Sequence, residues 1–445
     1  MKILFVSLGC DKNSVDSEVM LGALNANGHT FTDDENEAQA AIVNTCCFIG
    51  DAKEESINTL IELGQRRLNG QFKALIATGC LAQRYAEDIH KNLPEVDCLV
   101  GISAIDNIAI ALENVLNGNP KDYFKDQFDD EHANKSRVIT TGGYYDYLKI
   151  AEGCNKRCTY CVIPSVRGNY RSLPMDELVL EANELAKRGI KELILVAQET
   201  TVYGIDLYGK KMLPELLRKL CQIEDIKIIR LLYCYPEEIT DELIDVISKE
   251  PKIAHYLDMP IQSGSDDILK SMGRCTNYEE LKALVTKLRN KIPDICLRTT
   301  LITGFPGETK NDHEASLKLV NELKFDRLGA FTYSREENTI ASKMKNQVSE
   351  RVKKSRYKEI MAAQQEITFA KNAELVGRWL SAIIEGYLPG DQVYVGRTYR
   401  DAPDVDGYLF INSSRELLSG DIVDVLITDA VEYDLIGDMI DEFTE

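Results

Sequence analysis

The sequence predicts an α/β protein in three parts: an N-terminal parallel βαβαβα domain, a central partial (β/α)6 barrel and a small all-β barrel. Short apolar runs alternate with amphipathic segments over the first three quarters of the chain, which is the pattern of parallel βα units. Short β-rich runs divided by turn dipeptides follow. The expected bounds are 1–117, a linker over 118–143, the barrel over 144–375 and the β module over 376–445.

In the N-terminal part, three apolar runs have the length of buried parallel strands: KILFVSL, AAIVNT and ALIATG. A helix-patterned segment follows each run, so the crossovers are expected to be right-handed. The segment 118–143 carries Gly, Pro, Asp and Lys with little apolar periodicity, which is typical of a linker.

The central part contains six strand candidates: YLKIAEG, ELILVAQE, KIIRLLY, HYLDMPIQ, CLRTTLITG and RLGAFTYS. Six units are fewer than the eight of a closed βα barrel, so an open barrel is expected, ending in a long helix over 350–375. In the tail, four runs are separated by turn signals: LSAIIEGYL, QVYVGRTY, GYLFINSS and DIVDVLITDA.

Composition limits the class of protein. The chain has 445 residues with 44% hydrophobic and 28% charged residues, which is ordinary for a globular protein. No apolar run reaches the roughly 18 residues of a membrane span, and the N-terminus reads as a strand rather than a signal peptide. We therefore expect a cytoplasmic protein without membrane contact. In that reducing compartment, clustered members of the 12 cysteines are expected to be metal ligands or catalytic thiols.

Cys154, Cys158 and Cys161 lie in CNKRCTYC, directly after the first strand of the central part. Their close spacing lets one loop bring three thiolates to one iron–sulfur cubane. Because four protein ligands normally complete such a cluster, three leave one iron open. A zinc site completed from elsewhere in the chain is the alternative.

Cys10, Cys46 and Cys80 each end one of the three strands predicted in the N-terminal part. Carboxyl ends of parallel strands meet at one edge of the sheet, so three thiols are expected to converge there on a second three-ligand site. Buried apolar cysteines are the alternative. Cys47 adjoins Cys46, but neighbouring side chains point in different directions, so both are not expected to ligate together.

The C-x3-C-aromatic-x-C pattern, with Tyr160 as the aromatic, resembles the signature of the radical S-adenosylmethionine superfamily. The resemblance implies that S-adenosylmethionine chelates the open iron and yields a 5′-deoxyadenosyl radical. It also implies that Gln198 and Glu199, in Ala-Gln-Glu, stand where the superfamily has Gly-Gly-Glu, the motif that meets the methionine amino group.

Three further residues are expected by the same resemblance to contact the ribose or carboxylate of S-adenosylmethionine: Gln262, Ser263 and Arg298. Turn chemistry at the strand ends, or hydrogen bonds within the core, is the alternative role of each.

Taken together, the three parts resemble the methylthiotransferase family, whose tail is a TRAM module. The resemblance implies two 4Fe-4S clusters, one for the radical and one for sulfur, in an enzyme that replaces C–H with C–S–CH3. It further implies a second S-adenosylmethionine as methyl donor and a cellular electron donor.

Two branches of that family differ in substrate: adenosine in tRNA, or an aspartate side chain of ribosomal protein uS12. Four segments resemble the protein-modifying branch: LGCDKNSVDSE (8–18), NTCCFIGDAKEES (44–56), IPSVRGNYRS (163–172) and DAPDVDG (401–407). Cys47 departs from this pattern, since glycine is expected there. The resemblance leaves open whether uS12 is modified free or in the small subunit.

Charge supports the protein-modifying branch. The chain carries a net charge of −20, and residues 374–445 hold 16 Asp and Glu against 4 Arg and no Lys. A tail of net charge −12 is unsuited to direct tRNA binding but complements a basic ribosomal protein. Three alternatives stay open: a tRNA-adenosine methylthiotransferase, a non-catalytic iron–sulfur carrier, and an acidic tail that is merely solvated.

Overall fold

The computed structural model describes residues 1–125 and 136–439, which form three successive β structures. The strands are β1 (Lys2–Ser7), β2 (Thr30–Phe31), β3 (Ala40–Thr45), β4 (Leu75–Thr78), β5 (Cys98–Val100), β6 (Tyr145–Lys149), β7 (Ala151–Glu152), β8 (Arg171–Ser172), β9 (Glu192–Val196), β10 (Ile228–Leu231), β11 (Ile253–Asp258), β12 (Cys296–Thr303), β13 (Arg327–Thr332), β14 (Trp379–Leu388), β15 (Val393–Thr398), β16 (Leu409–Asn412), β17 (Ile422–Val431) and β18 (Asp434–Asp438).

The α-helices are α1 (Asp11–Ala26), α2 (Gly50–Leu68), α3 (Gly79–Arg84), α4 (Ala86–Asn92), α5 (Ile108–Leu116), α6 (Ile163–Val166), α7 (Met175–Lys187), α8 (Ile205–Tyr208), α9 (Leu213–Cys221), α10 (Asp241–Lys249), α11 (Asp266–Met272), α12 (Tyr278–Lys291), α13 (Lys310–Leu323) and α14 (Glu350–Ala373). Three short 3-10 helices span Ile102–Asn107, Pro236–Glu238 and Ala341–Lys343. Within the described ranges, no helix is both long enough and apolar enough to cross a bilayer.

The N-terminal sheet is parallel throughout, in the order β2-β1-β3-β4-β5. It confirms the three predicted strands and adds two outer ones, β2 and β5, which are too short for a periodicity to reveal. The helix predicted over 81–93 is divided into α3 and α4 at Tyr85. All six residues of β3 are buried, because an apolar cluster covers each face of the sheet.

The central sheet confirms the open six-stranded barrel. Its strands are all parallel, in the order β13-β12-β11-β10-β9-β6. The predicted terminal helix is α14, which begins at Glu350 and packs on the edge strand β13. There the Gln364 amide donates to the carbonyl of Phe325, and Thr368 Oγ1 donates to the carbonyl of Asp326.

Arg137 joins the N-terminal sheet to the central sheet. Its buried guanidinium lies 2.5 Å from Glu18 of α1 and 3.0 Å from Asp146 of β6. The amide of Val138 also donates to the carbonyl of Glu18. The described end of the predicted linker is therefore part of an interface, whereas residues 126–135 of that linker lie outside the described ranges.

The tail is a closed barrel in the order β14-β15-β16-β18-β17, which confirms the small all-β module. The fifth strand, β18, was not predicted; it follows a tight turn at Glu432, where φ is +56°, and pairs in parallel with β16. The closed barrel leaves no free strand edge, so its apolar residues enclose their own core.

A buried ion triplet attaches the tail to the central sheet. Glu192, at the start of β9, accepts from Arg230 at 2.7 Å and from Arg397 of β15 at 2.7 Å. Burial alone would raise the pKa of Glu192, but the two guanidiniums outweigh burial and hold that pKa below its usual range. Stabilisation from this carboxylate is therefore present above the usual pKa and is lost as pH falls through the lowered native value.

We expect Glu192→Ala to destabilise the chain by about 3–5 kcal/mol, because it leaves two buried guanidiniums without their shared counter-ion. Urea unfolding followed by circular dichroism and by the fluorescence of Trp379, the single tryptophan, measures the loss. Trp379 starts the tail barrel and so reports on the tail directly.

Glu184→Ala is the matched control, since it removes a carboxylate from the exposed pair with Lys187 and should cost about 1 kcal/mol or less. Equal losses in the two variants would contradict a dependence of the interface on the buried triplet.

Candidate functional site

Cys10, Cys46 and Cys80 follow three neighbouring strands. Cys10 directly precedes α1, Cys46 comes one residue after β3, and Cys80 is the second residue of α3. Because β1, β3 and β4 are adjacent in the sheet, their carboxyl ends bring these residues to one edge. Gly9 permits the close approach: its φ is +99°, and a Cβ there would lie 2.7 Å from Cys46 Cβ. We name these three residues the N-terminal triad.

Asn13, in the first turn of α1, holds the strand ends around this triad. Its side-chain nitrogen donates to the carbonyls of Leu8 at 2.8 Å and Thr45 at 3.1 Å. Its side-chain oxygen lies 3.8 Å from Cys80 Sγ. One buried amide thus contacts the ends of two strands and a thiol on the helix after the third.

Cys46 and Cys47 face different neighbours. The main chain of Cys46 exchanges two hydrogen bonds with Ser56 Oγ, and its side chain adjoins Gly9. Cys47 is in the apolar core of the sheet, and its thiol interacts electrostatically with the guanidinium of Arg84. Burial raises the pKa of the Cys47 thiol to about 11, although Arg84 opposes the rise. Cys46 thus lies beside Cys10, whereas Cys80 interacts electrostatically with both Cys46 and Cys47.

Cys154, Cys158 and Cys161 occupy the loop between β7 and α6. The amide of Cys161 donates to the carbonyl of Cys158 at 3.0 Å, and the amide of Lys156 approaches Cys154 Sγ at 3.5 Å. Tight local turns therefore gather the three thiols, which we name the loop triad. Tyr160 is half-buried, and its ring packs edge-on against Phe305 at 6.5 Å between centroids.

Burial raises the pKa of Cys80 and Cys161 to about 12 and of Cys154 to about 11. These thiols stay protonated at neutral pH until a metal displaces the proton, so metal binding and proton release are linked. Across residues 1–125 and 136–439, no three His, Cys, Asp or Glu side chains are placed to hold a single metal ion. In a cubane cluster each thiolate binds a different iron, so the cysteine sulfurs lie farther apart than they would around a single metal ion.

Three of the residues predicted to contact S-adenosylmethionine present buried oxygens without a hydrogen-bond partner in the described structure: Gln198 Oε1, Glu199 Oε2 and Gln262 Oε1. Burial raises the pKa of Glu199 to about 7, and Glu199 interacts electrostatically with Cys154 of the loop triad. Unpartnered buried acceptors are costly unless a donor reaches them. An ammonium group is such a donor, so these residues fit the methionine end of the cofactor.

Ser263 and Arg298 have other partners. Ser263 Oγ accepts from the amide of Ser265, which is the turn role considered above as its alternative. Arg298 pairs with Asp258 at 3.0 Å and with Asp406 of the tail at 3.4 Å. Arg298 also borders a cavity that Cys10 borders.

That cavity has a volume of about 540 Å³ and lies where the N-terminal sheet, the central sheet and the tail meet. Its wall combines carboxylates with aromatic side chains: Asp11, Asp258, Asp404, Tyr145, Tyr147 and Tyr233. The tail contributes Pro403, Asp404 and Val405 to this wall. Two contacts fix that loop on the central sheet: Asp401 forms an ion pair with Arg327 at 2.6 Å, and Asp406 accepts a hydrogen bond from Tyr256 at 2.7 Å. The arrangement suits a polar side chain that must reach Cys10.

Sequence reasoning missed the polar residues around both triads. Tyr235 Oη lies 3.7 Å from Cys158 Sγ, and the Arg274 guanidinium covers the Tyr235 ring at 4.1 Å. Arg167 and Glu152 form a buried pair at 2.9 Å beside the loop triad. A signal existed for Arg167, which falls in the segment 163–172 already noted, whereas nothing in the sequence distinguishes Tyr235 or Arg274.

Three family models match the chain: the radical SAM superfamily over residues 148–320, the uncharacterized protein family UPF0004 over 2–101, and the TRAM domain over 376–440.

Among solved structures, the chain resembles the radical S-adenosylmethionine methyltransferase TsrM from Kitasatospora setae, with cobalamin and a [4Fe-4S] cluster bound. The TM-score is 0.55 at 15% identity, over 76% of each chain. The cobalamin-dependent S-adenosylmethionine radical enzyme OxsB gives 0.54 at 12% identity, over 82% of this chain and 56% of that one. Both similarities concern the fold.

Curated relatives cover the chain almost end to end. The ribosomal protein uS12 methylthiotransferase RimO of Lachnoclostridium phytofermentans is 60% identical over 98% of this chain and 99% of that protein. The proteins of the same name from Acetivibrio thermocellus and Clostridium acetobutylicum are 48% and 44% identical, each over at least 99% of both chains. The chain therefore belongs to the RimO family of ribosomal protein uS12 methylthiotransferases.

Proposed function

We propose that this chain is a radical S-adenosylmethionine enzyme that methylthiolates an aspartate side chain of ribosomal protein uS12. The observation that carries the proposal is the presence of two separate three-cysteine sites in one chain. The loop triad adjoins buried acceptors without partners, and the N-terminal triad opens through Cys10 onto a cavity. A simple cluster carrier has no need of that cavity or of those acceptors.

The implied cofactors, two [4Fe-4S] clusters and S-adenosylmethionine, supply hydrogen abstraction, sulfur and the methyl group when bound. In the proposal, each triad holds one cluster and leaves one iron without a protein ligand. Gln198 and Glu199 would accept hydrogen bonds from the ammonium of S-adenosylmethionine, and Gln262 would contact its ribose or carboxylate. Tyr160 would pack beside the loop triad and exclude water from it.

The cavity is the proposed place of the substrate aspartate. Arg298 in its wall is a cationic group near the substrate carboxylate, and the carboxylates of the wall would attract the cationic groups of a basic protein segment. The tail strengthens that attraction, because its 16 Asp and Glu outnumber its four Arg, and two of those arginines, Arg397 and Arg400, are buried together with two carboxylates, Asp401 and Asp406. Burial of these four side chains leaves the net negative charge of the tail unchanged, which disfavours direct tRNA binding.

The proposal includes a cytoplasmic one-electron donor, since radical formation requires a reductant. The proposed substrate is uS12, either as the free protein or within the small ribosomal subunit. Cleavage of S-adenosylmethionine would separate an enzyme from a carrier, because a carrier forms no 5′-deoxyadenosine.

Deletion of the gene should remove the methylthio group from the uS12 aspartate and leave the modified nucleosides of tRNA unchanged. Mass spectrometry of uS12 peptides and of digested tRNA measures both. Complementation with the wild-type chain should restore the uS12 mass, and complementation with Cys158→Ala should not. An unchanged uS12 mass in the deletion strain would overturn the proposed substrate.

Cys158→Ala should abolish cleavage of S-adenosylmethionine, whereas Cys80→Ala should retain cleavage and stop sulfur insertion, because the two residues serve different clusters. Chromatography of 5′-deoxyadenosine and mass spectrometry of the product separate the effects. Cys275→Ala, at an exposed cysteine, is the matched control and should retain both activities. Equal loss of cleavage in the two triad variants would argue against separate roles.

Cys46→Ala should lose the iron and sulfide of one cluster after anaerobic reconstitution, whereas Cys47→Ala should keep both clusters. The reason is that Cys46 adjoins the triad, while the Cys47 thiol is engaged by Arg84. Iron and acid-labile sulfide per chain measure the difference. Loss of iron from the Cys47 variant alone would reverse this assignment.

A further inference from the structure

A buried polar chain runs from the N-terminal triad to Glu152, in the strand that leads into the loop triad, and on to Gln198. Its centre is Arg167, whose residue is 2% exposed and whose guanidinium bonds partners on both sides. Towards the N-terminal triad, Nη2 lies 2.5 Å from Asn13 Oδ1 and 3.2 Å from Asp16 Oδ2. Towards the loop triad, Nη1 lies 2.9 Å from Glu152 Oε2.

Each partner of Arg167 touches a site in turn. Asn13 Oδ1, which accepts from Arg167, is the atom 3.8 Å from Cys80 Sγ. Glu152 Oε1 accepts from the side-chain amide of Gln198 at 2.8 Å, and Glu152 is two residues before Cys154. The path from Cys80 to Gln198 therefore runs through three buried side chains without a gap.

The backbone around Arg167 reinforces the path. The amide of Cys154 donates to the carbonyl of Gly168 at 3.2 Å, and a Cβ on Gly153 would lie 2.2 Å from the carbonyl oxygen of Asn169. Val162, which directly precedes α6, and Val166, its last residue, belong to the apolar cluster that contains Cys80. The segment that follows the loop triad is thus clamped between that triad and the N-terminal sheet.

Only arginine suits this position. Its planar guanidinium directs separate N–H groups at Glu152 and at Asn13, whereas a lysine ammonium is a single point donor on a flexible stem. Lys149 bridges the same two carboxylates, at 2.5 Å from Asp16 and 3.0 Å from Glu152, so Lys149 and Arg167 together balance their charge. Beyond that charge, Arg167 adds direction, because its N–H groups are fixed relative to one another.

We propose that Arg167 is a positioning residue, which fixes the separation and orientation of the two cysteine sites through Asn13 and Glu152. This inference rests on the proposed function. Hydrogen abstraction at one site and sulfur transfer at the other must act on the same substrate carbon. Loss of a fixed spacing would therefore let the radical form while the sulfur misses its target.

The test compares Arg167→Met and Arg167→Lys with Arg137→Met in the reconstituted full chain. Arg137 is the matched control, because it is also buried and also pairs with a carboxylate of α1, but its partners are Glu18, Asp146 and Glu181 and it contacts neither triad. Arg167→Met and Arg137→Met should both lower the thermal stability, so stability by itself does not distinguish the two variants.

Two measurements distinguish them. The yield of methylthiolated peptide per 5′-deoxyadenosine should fall about 10- to 100-fold in both Arg167 variants and stay at the wild-type value in Arg137→Met. Electron paramagnetic resonance of the doubly reduced protein should show an altered magnetic interaction between the clusters in the Arg167 variants only, because that interaction depends on their separation and orientation.

A wild-type yield ratio and spectrum in either Arg167 variant, or the same changes in Arg137→Met, would overturn the inference. If Arg167→Met fails to fold, Arg167→Lys decides alone. If the wild-type chain forms no methylthiolated product, the proposed function fails, while the spectra still decide whether Arg167 positions the two sites.

Discussion

Buried pairing of guanidinium with carboxylate is the interaction on which the assembly of this molecule depends. Arg137 joins the N-terminal sheet to the central sheet, and Arg397 joins the tail to it. Removing such charges from water is costly, and the cost is recovered only when the hydrogen-bond geometry is good. Interfaces of this kind tolerate little sliding, unlike apolar surfaces. Arg167 forms a further pairing of this kind, with Glu152, and it is the one that lies between the two cysteine sites.

The direction of the parallel strands supplies the second constraint. Cys10, Cys46 and Cys80 are separated by more than thirty residues along the chain, yet they share one sheet edge because β1, β3 and β4 run the same way and are neighbours. The loop triad needs no such device, since its members lie within eight residues. One site thus depends on tertiary structure and the other on local turns, which explains why the two differ in their sequence signature.

Sequence periodicity was sufficient for the three parts of the fold and for every long strand. It failed for β2, β5 and β8, because two or three residues carry no period, and for β18, because β18 begins and ends with acidic residues. Positions at strand ends were enough to predict that Cys10, Cys46 and Cys80 share one sheet edge, and close spacing was enough to predict that the other three cysteines share one loop. The polar residues around the triads could not be predicted from the sequence. Arg167, Glu152 and Arg274 find their partners in distant segments, and no local pattern distinguishes an arginine that will be buried.

The loop 401–406 of the tail has a consequence for the order in which the molecule is completed. This loop borders the cavity and pairs with strands of the central sheet, but it lies almost a hundred residues after the last of the central strands that border that cavity. During synthesis the central sheet leaves the ribosome first, at a time when Arg298 and Tyr256 lack their partner Asp406. The substrate chamber therefore acquires this wall only when the tail has folded, so a nascent chain on the ribosome has both triads before it has a finished place for a substrate.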